Sequence, residues 1–282
     1  MPPAIKTWST PYVLEEKRKI NCSLCGETRF RPLLDCGEFT FVRCVSCGLV
    51  QQNPQPSASA VASRYREHHG NDYLDYELAN ETSFLHLQEL ALGDIGFESL
   101  SVGKGLDVGC ATGALLDSLR LRGWEVKGVE LCESSAEYAR TKRGLDVRSL
   151  PIEDAAFPNE SFDLVHASHL IEHLNDPRSF VVEARRVLRP RGSLLIATPN
   201  IDGFQARLFG ASWRSAIFDH LYLFSKKTLK ALLEREGFRV ERTVTWGGLA
   251  AGTAPNLLKT FADRTVKRIG AGDVMMIHAI RL

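Results

Sequence analysis

No run of the 282 residues reaches the length and apolarity of a membrane-spanning helix. The opening MPPAIKTWST lacks the apolar core of a secretory leader, so a cytoplasmic location and no membrane partner are expected. An excess of charge is missing too: 35 Lys and Arg stand against 34 Asp and Glu, a formal net charge of +1. A chain so balanced has no general field to gather a polyanion, and no nucleic-acid partner is expected. Internal repeats are absent, and nothing in the sequence bears on oligomeric state. Nor do the seven cysteines read as a disulfide framework. Four of them form two CxxC pairs, which suits a reducing compartment and a metal. What is there is an ordinary globular composition, enough for one large domain and a small one.

Residues 106–116 read LDVGCATGALL, and Glu130 closes the next apolar run, VKGVE. The pattern describes a buried strand carrying Leu106 and Val108, a tight glycine turn, and a helix opening at Gly113. An acid waits at the tip of a second strand. Such a turn presents backbone N–H groups to a ligand, and such an acid can hold two ribose hydroxyls. The dinucleotide pattern G-x-G-x-x-G needs a third glycine that is missing at the required offset. From this segment alone a dinucleotide site, an S-adenosylmethionine site and a purely structural turn all stay open.

From about residue 101 onward, strands and helices alternate. Strands are expected over 105–109, 125–130, 145–149, 162–167, 193–198, 238–244 and 273–281. Helices are expected over 113–122, 133–142, 176–188 and 226–236. Alternation of this kind implies βαβ units and a parallel sheet covered on both faces. The terminal DVMMIHAIRL has no helix separating it from the strand before it, only an irregular stretch and a short amphipathic segment. Upstream, QQNPQPSAS (51–59) reads as a connector, and residues 60–98 as helical with irregular leucine spacing. The expected division is a ribbon with lead-in and connector over 1–56, a helical bridge over 57–100, and a catalytic domain over 101–282.

Cys22-x-x-Cys25 and Cys44-x-x-Cys47, eighteen residues apart, match the spacing of a structural zinc site. Each pair can form a knuckle placing two thiolates on one tetrahedral ion, and Gly26 and Gly48 follow where the knuckle backbone needs positive φ. Free core cysteines and redox pairs are the other readings. Four thiolates close the coordination shell, so no catalysis is assigned to the metal. A ribbon this small would draw folding energy from it.

The glycine segment resembles the first motif of class I S-adenosylmethionine-dependent methyltransferases, [DE]-x-G-x-G-x-G. Asp107, Gly109 and Gly113 match, and Ala111 replaces the middle glycine, narrowing the freedom of the turn. That family ends its sheet with an antiparallel seventh strand, as DVMMIHAIRL would. The resemblance implies an α/β, Rossmann-like seven-stranded sheet with an antiparallel last strand, plus the small N-terminal zinc ribbon. It implies S-adenosylmethionine at Asp107, Gly109, Cys110, Gly113, Glu130 and Leu131. Segment 150–158 (LPIEDAAFP) resembles the family's adenine pocket, with Ile152 packed on the base and Glu153 or Asp154 accepting its amino group. Pro151 stands where the family often has an acid. SFDLV resembles the fourth strand, with Ala167 and Ser168 at the methionine end, and LRPRG the turn into the fifth. Cys110 and Cys132 also read as ordinary core thiols. The order of ribbon, glycine turn, EHLNDP, LRPRG, TPN and DHLYLFS is similar to that of sugar C-methyltransferases and ubiquinone-type O-methyltransferases.

Methyl transfer from a sulfonium needs alignment, and a base only if the acceptor loses a proton. His220 is the first candidate base. It aligns with a histidine in the sugar C-methyltransferases' YxEH run, although Asp219 and Ile217 replace the glutamate and the tyrosine. His169 and His173, four apart and expected on one helical face after strand four, follow it. HLIEH also matches the metallopeptidase pattern H-x-x-E-H, and the ubiquinone-type enzymes present a related acidic and histidine cluster suited to a divalent ion. Ser225 is expected to cap the next helix. Trp213 and Phe218 read as acceptor-pocket walls or as core. Tyr65 and Tyr73 are candidates to close over the cofactor. Leu257, Leu258, Phe261, Val266 and Ile269 trace a helix face read as sheet-edge burial rather than membrane contact.

The expectation is an S-adenosylmethionine-dependent enzyme acting on a small-molecule acceptor, with O-methylation of a sugar or secondary metabolite preferred. C-methylation of a nucleotide-linked sugar is one alternative. An RNA methyltransferase using the ribbon as a clamp is another, opposed by SHLIEH standing where an Asn/Asp-Pro-Pro-aromatic run would be. A non-catalytic binder of the cofactor is the third.

Overall fold

Seven strands and the helices on their two faces carry the molecule, whose computed structural model describes residues 17–63, 70–248 and 265–282. In chain order the strands are β1 (Phe30–Asp35), β2 (Thr40–Cys44), β3 (Val50–Gln52), β4 (Lys104–Val108), β5 (Glu125–Val129), β6 (Val147–Arg148), β7 (Phe162–Ser168), β8 (Leu188–Pro199), β9 (Tyr222–Leu223), β10 (Phe238–Trp246) and β11 (Val274–Arg281). The helices are α1 (Ala58–Ser63), α2 (Gly70–Ile95), α3 (Ala114–Leu121), α4 (Glu133–Arg143), α5 (Pro177–Val187), α6 (Phe204–Phe209) and α7 (Lys226–Arg235).

The main sheet has the order β10-β11-β8-β7-β4-β5-β6. Pairing is parallel from β8 to β6, and β11 runs antiparallel between β8 and β10. The expected Rossmann-like sheet with its antiparallel last strand is therefore observed. Alternate side chains of the inner strands feed opposite cores. Val165, Leu194, Ile196, Met275 and Ile277 pack with Phe180 and Val181 of α5 and Leu229 and Leu233 of α7. Leu164, Leu195, Ala197 and Met276 pack with Leu92 and Ile95 of α2 and Leu115 and Leu119 of α3. Each such side chain, fully buried, contributes about 1.5–3 kcal/mol before the entropy cost is set against it.

Local signals explain where helices begin. Asp176 caps α5 by accepting from the N–H groups of Arg178 and Ser179, with Pro177 in the first turn. Ser225 caps α7 in a reciprocal capping box with Thr228, as its position implied. Two expectations change. The helix expected after β7 is a single 3₁₀ turn, Ile171–His173, and His169 precedes it at φ 52°. His169 and His173 therefore do not share an α-helical face. The LRPRG turn is absorbed into β8, which starts at Leu188 and bulges so that Phe162 faces Leu188 while Leu164 faces Ser193.

A second sheet, β1-β2-β3-β9, ties the N-terminal ribbon to the segment between β8 and α7. β3, just after the second CxxC, pairs antiparallel with β9, matching Val50 to Leu223 and Gln51 to Tyr222. Phe41, Val50, Trp213 and Leu223 share one buried cluster. Trp213 is core, and its indole N–H donates to buried Asp273 at 2.5 Å. The segment read as a connector holds Gln51, Gln52 and Gln55, all buried. Val266 is buried and Ile269 exposed, while Leu257, Leu258, Phe261 and Tyr65 lie outside the described residues. Among the described residues, no helix is long and apolar enough to cross a membrane.

Candidate active site

The glycine turn leaves β4 at the carboxyl edge of the sheet, where open α/β sheets bind ligands. Gly109 has φ 75° and Gly113 φ 78°. A Cβ on Gly113 would stand 2.5 Å from Leu145 Cδ1, so both backbone and packing demand glycine there. Ala111 sits between them at φ 47°, a strained place for a side chain. Glu130, buried at the tip of β5, receives the N–H of Ala111 at 2.9 Å and that of Cys132 at 2.8 Å. Burial, followed by the nearby Asp107 charge, raises its carboxyl above the usual range, against the pull of those N–H groups. A buried acid at a strand tip beside a glycine turn fits a nucleoside ribose. Leu131 adjoins it, half-buried.

Asp107 Oδ1 lies 2.7 Å from His166 Nδ1, both buried. Cys110 turns its sulfur inward to Leu116, Ala136, Ala139 and Leu145, and burial pushes that thiol up. Ile152 is buried in a 3₁₀ turn with Glu153 and Asp154. Glu153 is hydrogen-bonded to Ser179 of α5, while Asp154 is exposed. Ala167 and Ser168 end β7. Over the turn lies α2. Its Glu81 receives the Thr112 hydroxyl at 2.6 Å and Arg143 at 2.6 Å. One turn earlier, Glu77 is hydrogen-bonded to Tyr73 and raised to about 7, first by burial and then by Glu130 and Glu81.

The second cluster lies beyond β7 and β8. Glu172 is fully buried and held by Thr198 Oγ1 at 2.9 Å and His169 Nδ1 at 3.2 Å. Burial works to raise its carboxyl, but the His169 hydrogen bond and the charges of His169, His173 and His220 outweigh it and hold it at about 2. His173 donates through Nδ1 to the Asp219 carbonyl at 2.9 Å, and His220 through Nδ1 to the Ser215 carbonyl at 2.8 Å. Their rings meet edge to face with centroids 4.7 Å apart. Burial, then His173, lowers His220 to about 3, so its ring is neutral with the lone pair on Nε2. Ligand atoms of Glu172, His173 and His220 lie within 4.8 Å of one another. His169, half exposed, stands outside that trio. Sequence reading missed Thr198 and Gln52 as partners of this cluster. Neither carries a local signal.

In the ribbon, the sulfurs of Cys22, Cys25, Cys44 and Cys47 lie within 4.8 Å of one another, with Cys22–Cys47 at 3.4 Å and Cys25–Cys44 at 3.5 Å. Four thiolates on a tetrahedral zinc stand about 3.8 Å apart, so the donor set fits the ion. Burial raises the Cys47 thiol to about 11, whereas at Cys44 hydrogen bonds from knuckle N–H groups and neighbouring thiols outweigh burial and bring it to about 7.

Comparison with known proteins agrees with this geometry. A family model described as "Methyltransferase domain" matches residues 73–243. The ubiquinone biosynthesis O-methyltransferase of Idiomarina loihiensis is 36% identical over 103 residues, covering 34% of this chain and 42% of that protein. Its namesake from Histophilus somni is 30% identical over 139 residues, covering 46% of this chain and 56% of that one. The chain thus spans about half the length of the curated relatives it matches. A SAM-dependent methyltransferase from Thermotoga maritima superposes with a TM-score of 0.58 at 22% identity, covering 76% of this chain and 100% of that one. One from Archaeoglobus fulgidus gives 0.54 at 20%, covering 73% and 99%. These two share the fold. With the family model spanning more than half of its residues, the chain belongs to the methyltransferase-domain family.

Proposed function

We propose that this chain is an S-adenosylmethionine-dependent enzyme that methylates a hydroxyl oxygen of a small-molecule acceptor, a sugar or secondary metabolite, using His220 as base. The observation that carries the reading is the neutral His220, its Nδ1 pinned to the Ser215 carbonyl and its ring set against His173 above buried Glu172. The ubiquinone O-methyltransferases among its relatives support oxygen as the acceptor atom.

The donor, when bound, supplies an electrophilic methyl on a sulfonium. Its ribose is assigned to Glu130 and its adenine to Ile152, with Asp154 nearer than Glu153 to a free role. The backbone of Gly109–Gly113 and the β7 tip, Ala167 and Ser168, line the methionine end. Leu131 and Cys110 contribute backbone rather than side chain. Toward the acceptor, His220 Nε2 takes the hydroxyl proton as the oxygen receives the methyl. The nearby Glu172 carboxylate favours the imidazolium so formed, against burial and His173, which disfavour it. His173 and His169 orient the cluster. The expected experiment is transfer of labelled methyl to a panel of polyols and phenols, compared with His220→Ala. Unchanged turnover in the variant removes His220 as base.

A second reading rests on the trio Glu172, His173 and His220, whose spacing suits a divalent cation that would position the acceptor hydroxyl. Manganese titration followed by electron paramagnetic resonance separates the two readings: stoichiometric binding lost in His173→Ala favours the metal. For the ribbon we propose structural zinc on Cys22, Cys25, Cys44 and Cys47, checked by metal content of the purified chain. The division 1–56, 57–100 and 101–282 serves as the working domain scheme, with a cytoplasmic, small-molecule role. A carbon acceptor and an RNA acceptor are the competing outcomes of the labelling assay.

A further inference from the structure

The loop that carries His220 is not held by the catalytic sheet alone. Three successive backbone carbonyls, 218 to 220, each accept a hydrogen bond from a side chain that comes from elsewhere. Gln52 Nε2 donates to the Phe218 carbonyl at 2.7 Å and to the His220 carbonyl at 2.8 Å. Between them, the Asp219 carbonyl accepts from His173 at 2.9 Å. Two carbonyl oxygens around one amide nitrogen fix its orientation, since only the NH₂ end can donate to both. Gln52 is fully buried, and its Oε1 has no hydrogen-bond partner among the described residues. Packing alone would favour an apolar side chain there.

The attachment continues along β3. The Gln52 N–H donates to the Leu221 carbonyl at 2.8 Å, and Gln55 Nε2 reaches the same carbonyl at 3.3 Å. The Tyr222 hydroxyl stands 2.5 Å from Ser23 Oγ, inside the first cysteine knuckle, and donates to the Asn175 carbonyl at 3.1 Å. Arg235 of α7 donates to the Leu24 carbonyl in the same knuckle. Ser23 and Leu24 of the first knuckle, with Gln52 and Gln55 just past the second, thus meet residues 218–222 and α7.

We infer that the cysteine ribbon is a built-in part of the acceptor site, and that Gln52 is the positioning residue that sets the His220 loop against His173. The inference rests on the reading that this loop faces the acceptor. It assigns the ribbon a role in arranging the small-molecule site, in place of an outward clamp.

The test uses the full chain with its metal and needs no acceptor. Gln52→Met keeps volume and removes both bonds to the Phe218 and His220 carbonyls; Gln55→Met, which loses its bonds to the Leu221 carbonyl and Tyr222, serves as comparison. Hydrogen exchange and ¹⁵N-histidine imidazole spectra are recorded, together with calorimetric binding of S-adenosylhomocysteine. In Gln52→Met, exchange over 217–224 rises roughly tenfold or more, the loss expected for two hydrogen bonds. The His173 and His220 signals shift, while S-adenosylhomocysteine affinity stays within about twofold. The Gln55 variant shows a smaller rise. Unmoved imidazole signals with unchanged exchange overturn the inference. If Gln52→Met does not fold, chelator titration of the unaltered chain decides. Exchange over 217–224 must rise before 104–130 opens. Simultaneous opening, or an indifferent loop, overturns it. A base role for His220 fails separately, by unchanged turnover in His220→Ala, without touching the exchange result.

Discussion

The two ends of this site are built in opposite ways. At the proposed donor end, one stretch of about 25 residues supplies a glycine turn and an acid. At the acceptor end, Gln52, Glu172, Thr198 and His220 come from four separate segments and are met by side chains. A site made of local backbone tolerates sequence drift around fixed glycines. One made of distant side chains can be re-specified piece by piece.

The comparison can be broken by substitution. The largest effect is expected at the acceptor end: His220→Ala lowers turnover by about a hundred- to ten-thousand-fold, read in steady-state kinetics. At the donor end, Gly113→Ala forces a Cβ to 2.5 Å from Leu145 in a left-handed backbone. It should cost about 2–4 kcal/mol, measured as a lower denaturant midpoint.

Much of the donor end was legible because its signals are short-range. Gly109, Gly113 and Glu130 occupy one βαβ unit, and β11 showed itself by the missing helix before it. The helix expected over 176–188 is likewise found as α5, which Asp176 caps. The 3₁₀ turn was missed because a four-residue histidine spacing on apolar neighbours imitates a helical face. His169 at φ 52° breaks that face. The β3–β9 pairing joins residues about 170 apart, and nothing local in QQNPQ distinguishes a buried strand from a polar connector. Trp213 stayed ambiguous for the same reason, since its partner Asp273 lies 60 residues away.

Smaller effects sharpen the donor end. Glu77 carries a folded pKa of about 7 above its ordinary 4.5, so it holds its proton more tightly when folded. The stability linked to that proton is full below about pH 4.5 and is lost as pH rises through about 7. Glu77→Gln should flatten this decline and leave the variant about 1–3 kcal/mol more stable at pH 8, with little difference at pH 4.5. Thermal melts across pH check it. The smallest effect is expected at Ala111, where glycine relieves the left-handed strain at φ 47°. Ala111→Gly should gain up to about 1 kcal/mol without weakening donor binding.

Donor and acceptor ends are proposed to act separably. Calorimetric titration of S-adenosylmethionine into the unaltered chain, Glu130→Ala and His220→Ala tests this most directly. Binding should fall at least about tenfold in Glu130→Ala, the loss of a charge-assisted ribose contact, and persist in His220→Ala. Full-strength binding in Glu130→Ala, or binding abolished in His220→Ala, would contradict it.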